Sequence, residues 1–144
     1  MANDFQPSPE YADFFFQAID HAFGSIENGG GPLIPFVMTI DKEGKKHMQR
    51  YVAERIEEGI VHAQNYIDEN QGNLEMYAIA WDGYITSENK RTDAVFVEAG
   101  ERNDSRGVTF CQRYREEKKG LFKGKKCERI GNPALIERPI TRFN

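Results

Sequence analysis

Apolar residues recur every three or four positions in two stretches of the first half of the chain, which is the spacing of an amphipathic helix. The first stretch follows Ser8-Pro9, a favoured start for a helix, and ends at Gly24. The second runs from about Lys45 to Asn70, where polar and glycine residues end it. The pattern therefore predicts two helices, both in the N-terminal half.

Short apolar runs rich in β-branched and aromatic residues predict the strands. One such run, Leu33 to Ile40, lies between the two helices and follows a glycine-rich turn. Three more follow the second helix with polar turns between them: 74–86, 91–99 and 107–115. The C-terminal tail is predicted to add one short strand near 127–130 and another near 134–136. Because short turns join these runs, neighbouring strands are expected to pair as antiparallel hairpins.

Helices gathered early in the chain and strands gathered late are typical of an α+β domain. We expect two layers, with the two N-terminal helices packed on one face of a mainly antiparallel sheet of four to six strands. A more wrapped, barrel-like sheet is the alternative. The 144 residues suit one domain spanning 1–144, in which the polar residues 1–7 are expected to be disordered.

Strand residues alternate between the two faces of a sheet, so the turn positions decide which side chains share a face. If the hairpins turn near Glu88-Asn89 and Asn103-Asp104, Val97 lies opposite Ala80 on one side and Phe110 on the other. One face, named here the apolar face and expected to pack under both helices, then holds Met76, Ala78, Ala80, Val95, Val97, Ala99, Val108 and Phe110. The other, named the aromatic face, holds Tyr77, Ile79, Trp81, Phe96, Glu98, Thr109, Cys111 and Arg113.

The aromatic face is the predicted binding surface, because aromatic side chains combined with arginine are typical of interface cores. Its predicted binding residues are Tyr77, Trp81, Phe96, Glu98 and Arg113. We therefore expect a non-enzymatic module that binds a protein partner or associates with itself. A symmetric homodimer through this face is the most specific form of that hypothesis.

The single tryptophan, Trp81, is predicted to lie on the aromatic face, opposite Phe96 and away from both helices. A bulky indole on an outer face exposes much apolar area unless a partner, a ligand or another part of the chain covers it. The alternative to a partner is the C-terminal tail, whose apolar side chains also need burial: Leu135, Ile136, Ile140 and Phe143.

Four carboxylates on or beside adjacent strands form the candidate catalytic set if the protein is an enzyme: Asp82, Asp93, Glu98 and Glu101. Paired carboxylates can perform acid–base chemistry where their environments separate their pKa values, as in a small hydrolase or isomerase. Glu98 interrupts an apolar strand, and a polar group placed there needs a partner. A structural ion pair with Arg113 is the favoured interpretation, and catalysis is the alternative.

The net charge of −4 is unevenly distributed. Residues 1–75 hold 13 acids and 5 bases, whereas 76–144 hold 10 acids and 14 bases. The basic stretch 113–126 also contains aromatics, a combination that suits phosphate contacts and base stacking. Its spacing matches no nucleic-acid motif, and the whole chain is acidic, so we expect the two halves to neutralise each other and no nucleic-acid partner.

Candidate metal and thiol chemistry is weak in this sequence. Glu58 and His62 are spaced to share a metal ion on a helix surface, but no third ligand is evident, so no metal or other cofactor is expected. Two cysteines, Cys111 and Cys127, indicate a reducing compartment and not a disulfide scaffold. The sequence shows no signal-peptide pattern and no apolar run long enough for a membrane, which predicts a cytoplasmic location.

Several short segments of the chain resemble a family of small uncharacterised bacterial proteins. They are Pro35-Phe36-Val37-Met38, Gln49-Arg50-Tyr51-Val52-Ala53-Glu54, Asp82-Gly83-Tyr84, Arg91-Thr92-Asp93-Ala94 and Val97-Glu98-Ala99-Gly100-Glu101-Arg102. The resemblance covers most of the chain from about residue 33 to Pro133 and implies a bacterial, cytosolic origin. No established activity accompanies the family, so the resemblance assigns no catalytic residue.

Overall fold

A computed structural model of the chain describes residues 5–29, 33–118 and 125–143. The helices are α1 (Pro9–Gly29) and α2 (Ile56–Asn70), and a single 3-10 turn (Gln71–Asn73) follows α2. The strands are β1 (Phe36–Asp41), β2 (Lys46–Arg50), β3 (Leu74–Ser87), β4 (Lys90–Glu101), β5 (Val108–Lys118) and β6 (Lys125–Glu137). They form one six-stranded sheet in the order β2-β1-β3-β4-β5-β6, and every neighbouring pair is antiparallel.

The α+β class and the predicted strand register are both confirmed. Trp81 lies opposite Phe96, and Phe96 lies opposite Cys111 on the next strand. The first hairpin turns at Glu88-Asn89, whose φ angles of 53° and 63° are those of the turn that best fits the twist of paired strands. Because the turn lies where the sequence indicated, the apolar and aromatic faces carry the residues assigned to them.

The predicted helix from 45 to 70 is wrong in its first part, because residues 46–50 form β2 and α2 begins only at Ile56. Asp41 organises the hairpin that starts β2: its Oδ1 accepts hydrogen bonds from the backbone N–H groups of Glu43 and Lys45, each at 2.9 Å. Gly44, at φ 87°, completes the turn. Side chains of this edge strand are all exposed, so burial leaves no strand pattern in the sequence.

Helix α1 is longer than predicted, since it passes through Gly24 and ends at Gly29. Its apolar stripe continues beyond Gly24 to Ile26, which is fully buried. At its other end Phe5, in the segment predicted to be disordered, packs edge-on against Tyr11 with ring centroids 6.4 Å apart. Residues 1–4 lie outside the described part of the chain.

The two helices lie on opposite faces of the sheet, which corrects the expectation that both pack on one face. Helix α1 covers the apolar face, where Phe15 stacks on Phe110 with centroids 4.8 Å apart. Helix α2 covers part of the aromatic face, where Ala63 and Ile67 pack against Tyr77 and other side chains of that face. The aromatic stripe of α1 already fills the apolar face, so α2 buries its own narrow stripe on the other side.

The C-terminal tail forms one long strand, β6, where two short strands were predicted. Its register against β5 shifts twice, and Gly131 within it has a positive φ of 70°. In the sequence, glycine and proline interrupt the alternating pattern at this irregularity. The sequence therefore suggested two short strands with a gap between them.

Candidate functional site

The aromatic face brings four of the five predicted binding residues to its surface. Trp81 and Phe96 stack with their centroids 5.8 Å apart and their planes 19° apart, and both are half-buried. Arg113 is exposed on β5. Glu98 is half-buried and lies two residues from Phe96 on β4, so both side chains are on the same face. The structure therefore places an aromatic pair between a guanidinium and a carboxylate.

The fifth residue, Tyr77, is fully buried and cannot contact a partner in this conformation. Its ring packs against Phe143 with centroids 5.4 Å apart, and its hydroxyl oxygen accepts a hydrogen bond from the backbone N–H of Arg142 at 3.1 Å. Burial raises its pKa to about 12, so the hydroxyl stays protonated at neutral pH. Tyr77 therefore has a structural role: it holds the C-terminal segment against the aromatic face.

The alternative that the C-terminal tail covers the aromatic face holds for one end of that face. Phe143 covers Tyr77, as described above. Leu135 instead packs against the apolar-face core, and the side chains of Ile136 and Ile140 are 52% and 68% exposed. The Trp81 end of the face shares its cluster with α2, so the prediction that Trp81 lies away from both helices is right for α1 alone.

Glu98 pairs with Arg142 and not with Arg113, which corrects the predicted ion pair. The Nε of Arg142 lies 3.6 Å from Glu98 Oε2, and its Nη1 donates to Asp68 Oδ1 on α2 at 3.1 Å. Across the strands, Glu98 lies opposite Thr109, which is four residues from Arg113. Nothing local in the sequence signals this contact, because Arg142 reaches Glu98 from the far end of the chain.

A cleft of about 370 Å³ opens beside this ion pair, between α2, the sheet and the C-terminal segment. Its lining residues are Asp68, Gln71, Glu98, Ile140, Thr141 and Arg142. Burial raises the pKa of Glu98, and Arg142 opposes that rise. Two carboxylates share one guanidinium here, so the cleft is polar and its charge balance is acidic.

The four candidate catalytic carboxylates do not meet in one place. Glu98 lies on the aromatic face, whereas Asp82, Asp93 and Glu101 occupy positions of the apolar face. Glu101 lies at the end of β4 and away from the other two, since strand pairing puts it opposite Met76. Paired-carboxylate chemistry needs two such groups around one cavity. The sheet keeps Glu98 apart from the other three.

Asp82 forms a contact that sequence reasoning missed. The hydroxyl of Tyr114 donates to both carboxylate oxygens, at 2.9 and 3.0 Å. Tyr114 is almost fully buried and packs edge-on against Phe23 of α1, with centroids 5.3 Å apart. Burial raises the pKa of both groups. The hydrogen bond gives the Tyr114 hydroxyl a partner while its ring packs under α1. Its only sequence signal is the alternation that places Tyr114 and Asp82 on one face.

Other candidate chemistry is not assembled within the described residues. No group of three His, Cys, Asp or Glu side chains there could hold a metal ion. The His62 ring stacks near Tyr51 instead, with centroids 6.4 Å apart. Burial raises the pKa of the Cys111 thiol, which disfavours the reactive thiolate. The central part of the basic stretch, residues 119–124, lies outside the described part of the chain.

Comparison of the chain with family models, curated protein sequences and solved structures finds no significant match. The resemblance to a bacterial family therefore stays a prediction. No helix in the part of the chain that the structure describes is long and apolar enough to cross a membrane.

Proposed function

We propose that the protein is a non-enzymatic binding module that associates with a second copy of itself through the open part of the aromatic face. That surface, named the aromatic patch, consists of Trp81, Phe96, Cys111 and Arg113. The observation that supports it is the stacked Trp81–Phe96 pair, which remains partly exposed after both helices and the C-terminal segment have packed.

The composition of the patch favours a protein partner over bulk solvent. Aromatic side chains bring large apolar area at little entropic cost, and tryptophan and arginine dominate the energetics of many interfaces. Arg113 forms no ion pair with any described residue, and its guanidinium is available to a partner. Cys111 is small and buried between them, so it leaves the patch shallow.

A second copy of the chain fits this patch because the same face carries both signs of charge. Arg113 is exposed on β5, and Glu128, opposite Arg115 on β6, is exposed on the same face. A two-fold axis through the patch stacks aromatic side chains on their equivalents and lets basic positions face acidic ones. Two-fold contacts of this kind are self-complementary, and one surface supplies both sides.

Trp81→Ala should weaken self-association at least tenfold, because truncating a buried interface tryptophan commonly costs about 2 kcal/mol or more of binding free energy. Sedimentation velocity over a concentration series measures the effect directly. Tyr84→Ala is the matched control: Tyr84 is an exposed aromatic three residues along the same strand, on the opposite face and 54% exposed. It should leave association unchanged.

Two outcomes would contradict self-association through this patch. One is a wild-type protein that stays monomeric at the highest concentration it tolerates; the patch would then need a different partner. The other is an equal loss of association in the Trp81 and Tyr84 variants. Circular dichroism of the Trp81 variant separates a lost interface from a lost fold.

The environment of Glu98 favours a second candidate function, that of a small hydrolase or isomerase. Glu98 is a carboxyl with a raised pKa that lines a cleft, and such groups concentrate at active sites. If the cleft is catalytic, Glu98→Gln should abolish hydrolysis of p-nitrophenyl esters while the circular-dichroism spectrum stays unchanged. Equal rates for the variant and the wild type, or no rate above buffer, would discard this candidate and leave the binding proposal intact.

A further inference from the structure

A groove with several polar side chains runs between α1 and the edge strand β2, on the other side of the sheet from the aromatic patch. Its volume is about 380 Å³, and its lining residues are His21, Gly24, Ser25, Asn28 and Arg50. The helix contributes side chains at 21, 25 and 28, a spacing that puts them on one face. The strand contributes Arg50 and, four residues away on the same face, Lys46.

Phe36 on β1 holds the two sides of the groove together. The imidazole of His21 packs edge-on against the Phe36 ring, with centroids 4.9 Å apart. Arg50 lies directly opposite Phe36 in the β1–β2 pairing. His21 and Arg50 therefore flank the same aromatic ring, and their polar ends share the groove.

The electrostatic environment of the groove is positive. Burial lowers the pKa of His21, and Arg50 and Lys46 lower it further by charge repulsion. The two acids of α1 that are nearest in sequence to the groove residues, Asp20 and Glu27, contact β6 instead. Asp20 pairs with Arg129 at 2.9 Å, and the Glu27 carboxylate accepts a hydrogen bond from a β6 backbone N–H.

Every polar side chain of the groove can donate a hydrogen bond. Arg50 offers a forked guanidinium, Ser25 a hydroxyl, Asn28 an amide and His21 a ring N–H. Lys46 donates to Gln17 at 2.6 Å, which leaves two ammonium hydrogens. At Gly24 an added Cβ would meet nothing within 4 Å, so the floor of the groove is open to a ligand.

We propose that this groove binds the phosphate group of a small phosphate monoester. A forked guanidinium matches phosphate geometry, and a second cation with neutral donors suits a dianion with three terminal oxygens. The volume accommodates the phosphate group and a small organic body. This site is independent of the aromatic patch, and its failure would leave the self-association proposal untouched.

The test is a proton–carbon NMR titration of the histidines with and without phenyl phosphate, with sodium chloride matching the ionic strength. A bound dianion beside His21 should raise its pKa by about one unit, since an opposite charge within a few ångströms shifts a pKa by that amount or more. His47 pairs with Asp41 at 2.9 Å, and His62 lies on α2, so both should stay unchanged as internal controls. An unchanged His21, or an equal shift of all three histidines, would overturn the proposal.

Two variants sharpen the result. Arg50→Gln should weaken the binding of phenyl phosphate about tenfold or more, because it removes the forked donor. Arg91→Gln is the matched control, an exposed arginine on β4 that stacks over Tyr84, and should bind as the wild type does. Equal binding by all three proteins would overturn the assignment to this groove. Vesicles containing phosphatidic acid distinguish the source: a shift of His21 with vesicles and none with phenyl phosphate would point to a lipid headgroup and contradict a soluble monoester.

Discussion

Arg142→Ala should lower the free energy of unfolding by about 2 kcal/mol at pH 8, because it leaves Glu98 partly buried with no cation beside it. The Glu98 side chain is 15% exposed and that of Arg142 is 24% exposed, so water screens this pair only in part. The second contact of Arg142, to Asp68, adds less, because the Asp68 side chain is 51% exposed. Urea unfolding followed by circular dichroism measures the difference.

The stability lost in Arg142→Ala should be smaller at low pH, because it depends on the charge of Glu98. The folded-state pKa of Glu98 is raised, so its charged form disfavours the fold above that pKa. Arg142 opposes the rise in the Glu98 pKa. Without Arg142, the charged form of Glu98 therefore destabilises the fold more. As the pH falls through the folded pKa toward the ordinary value of 4.5, Glu98 becomes protonated and the difference between variant and wild type should shrink.

Two further variants isolate the pair. Arg142→Ala combined with Glu98→Gln should be less destabilised than the sum of the single changes, because no uncompensated charge remains. Arg113→Ala is the control, since it removes the arginine that sequence reasoning paired with Glu98. As a surface residue it should cost less than about 0.5 kcal/mol. A larger loss for Arg113→Ala than for Arg142→Ala would contradict the observed pairing.

The contrast between these two arginines shows what the sequence could predict. Strand register was predictable because each hairpin turn is local and the alternation of side chains is clean, so Phe96 was placed correctly against both neighbours. The partner of Glu98 was not predictable, because Arg142 lies in a segment with no regular pattern. The prediction paired Glu98 with Arg113 as a diagonal or more distant neighbour on the adjacent strand, whereas the contact comes from Arg142 in the C-terminal segment.

Two predictions about α2 were wrong, where the helix begins and which face of the sheet it covers, and each has its own physical cause. Met48 and Val52 fall at helical spacing, yet in the structure they are 41% and 81% exposed and bury no stripe. An exposed edge strand such as β2 gives no burial signal to compete with that chance spacing. Which face α2 covers depends on the path of the chain around the sheet, and residue spacing within α2 carries no information about that path.

The sequence predicted which residues share the candidate binding surface, but it could not predict which of them are covered. Alternation placed Trp81 and Arg113 on one face with Phe96, and the structure agrees. It also placed Tyr77 there, and could not show that α2 and Phe143 bury it. Sequence patterns assign side chains to faces, whereas coverage of a face depends on contacts between distant segments.

Gly100→Ala should destabilise the protein by about 3 kcal/mol, because the added methyl group overpacks a filled part of the core. Gly100 lies opposite Tyr77 in the β3–β4 pairing, and the Tyr77 ring lies across it. A Cβ at Gly100 would come within 2.7 Å of two carbons of that ring and of its hydroxyl oxygen. The ring has no room to move, because it is fully buried and packs against Phe143.

The same change should also disturb the cleft beside Glu98, because Tyr77 accepts the hydrogen bond that holds the backbone of Arg142. Gly24→Ala is the matched control: it adds the same methyl group where nothing lies within 4 Å. Because Gly24 is inside α1, this control should raise the free energy of unfolding by about 0.5–1 kcal/mol. Opposite signs for the two variants in urea unfolding would confirm the close contact between Tyr77 and Gly100. A Gly100→Ala variant as stable as the wild type would show that the ring moves aside, and the support that Tyr77 gives to the C-terminal segment would then be weaker than its burial implies.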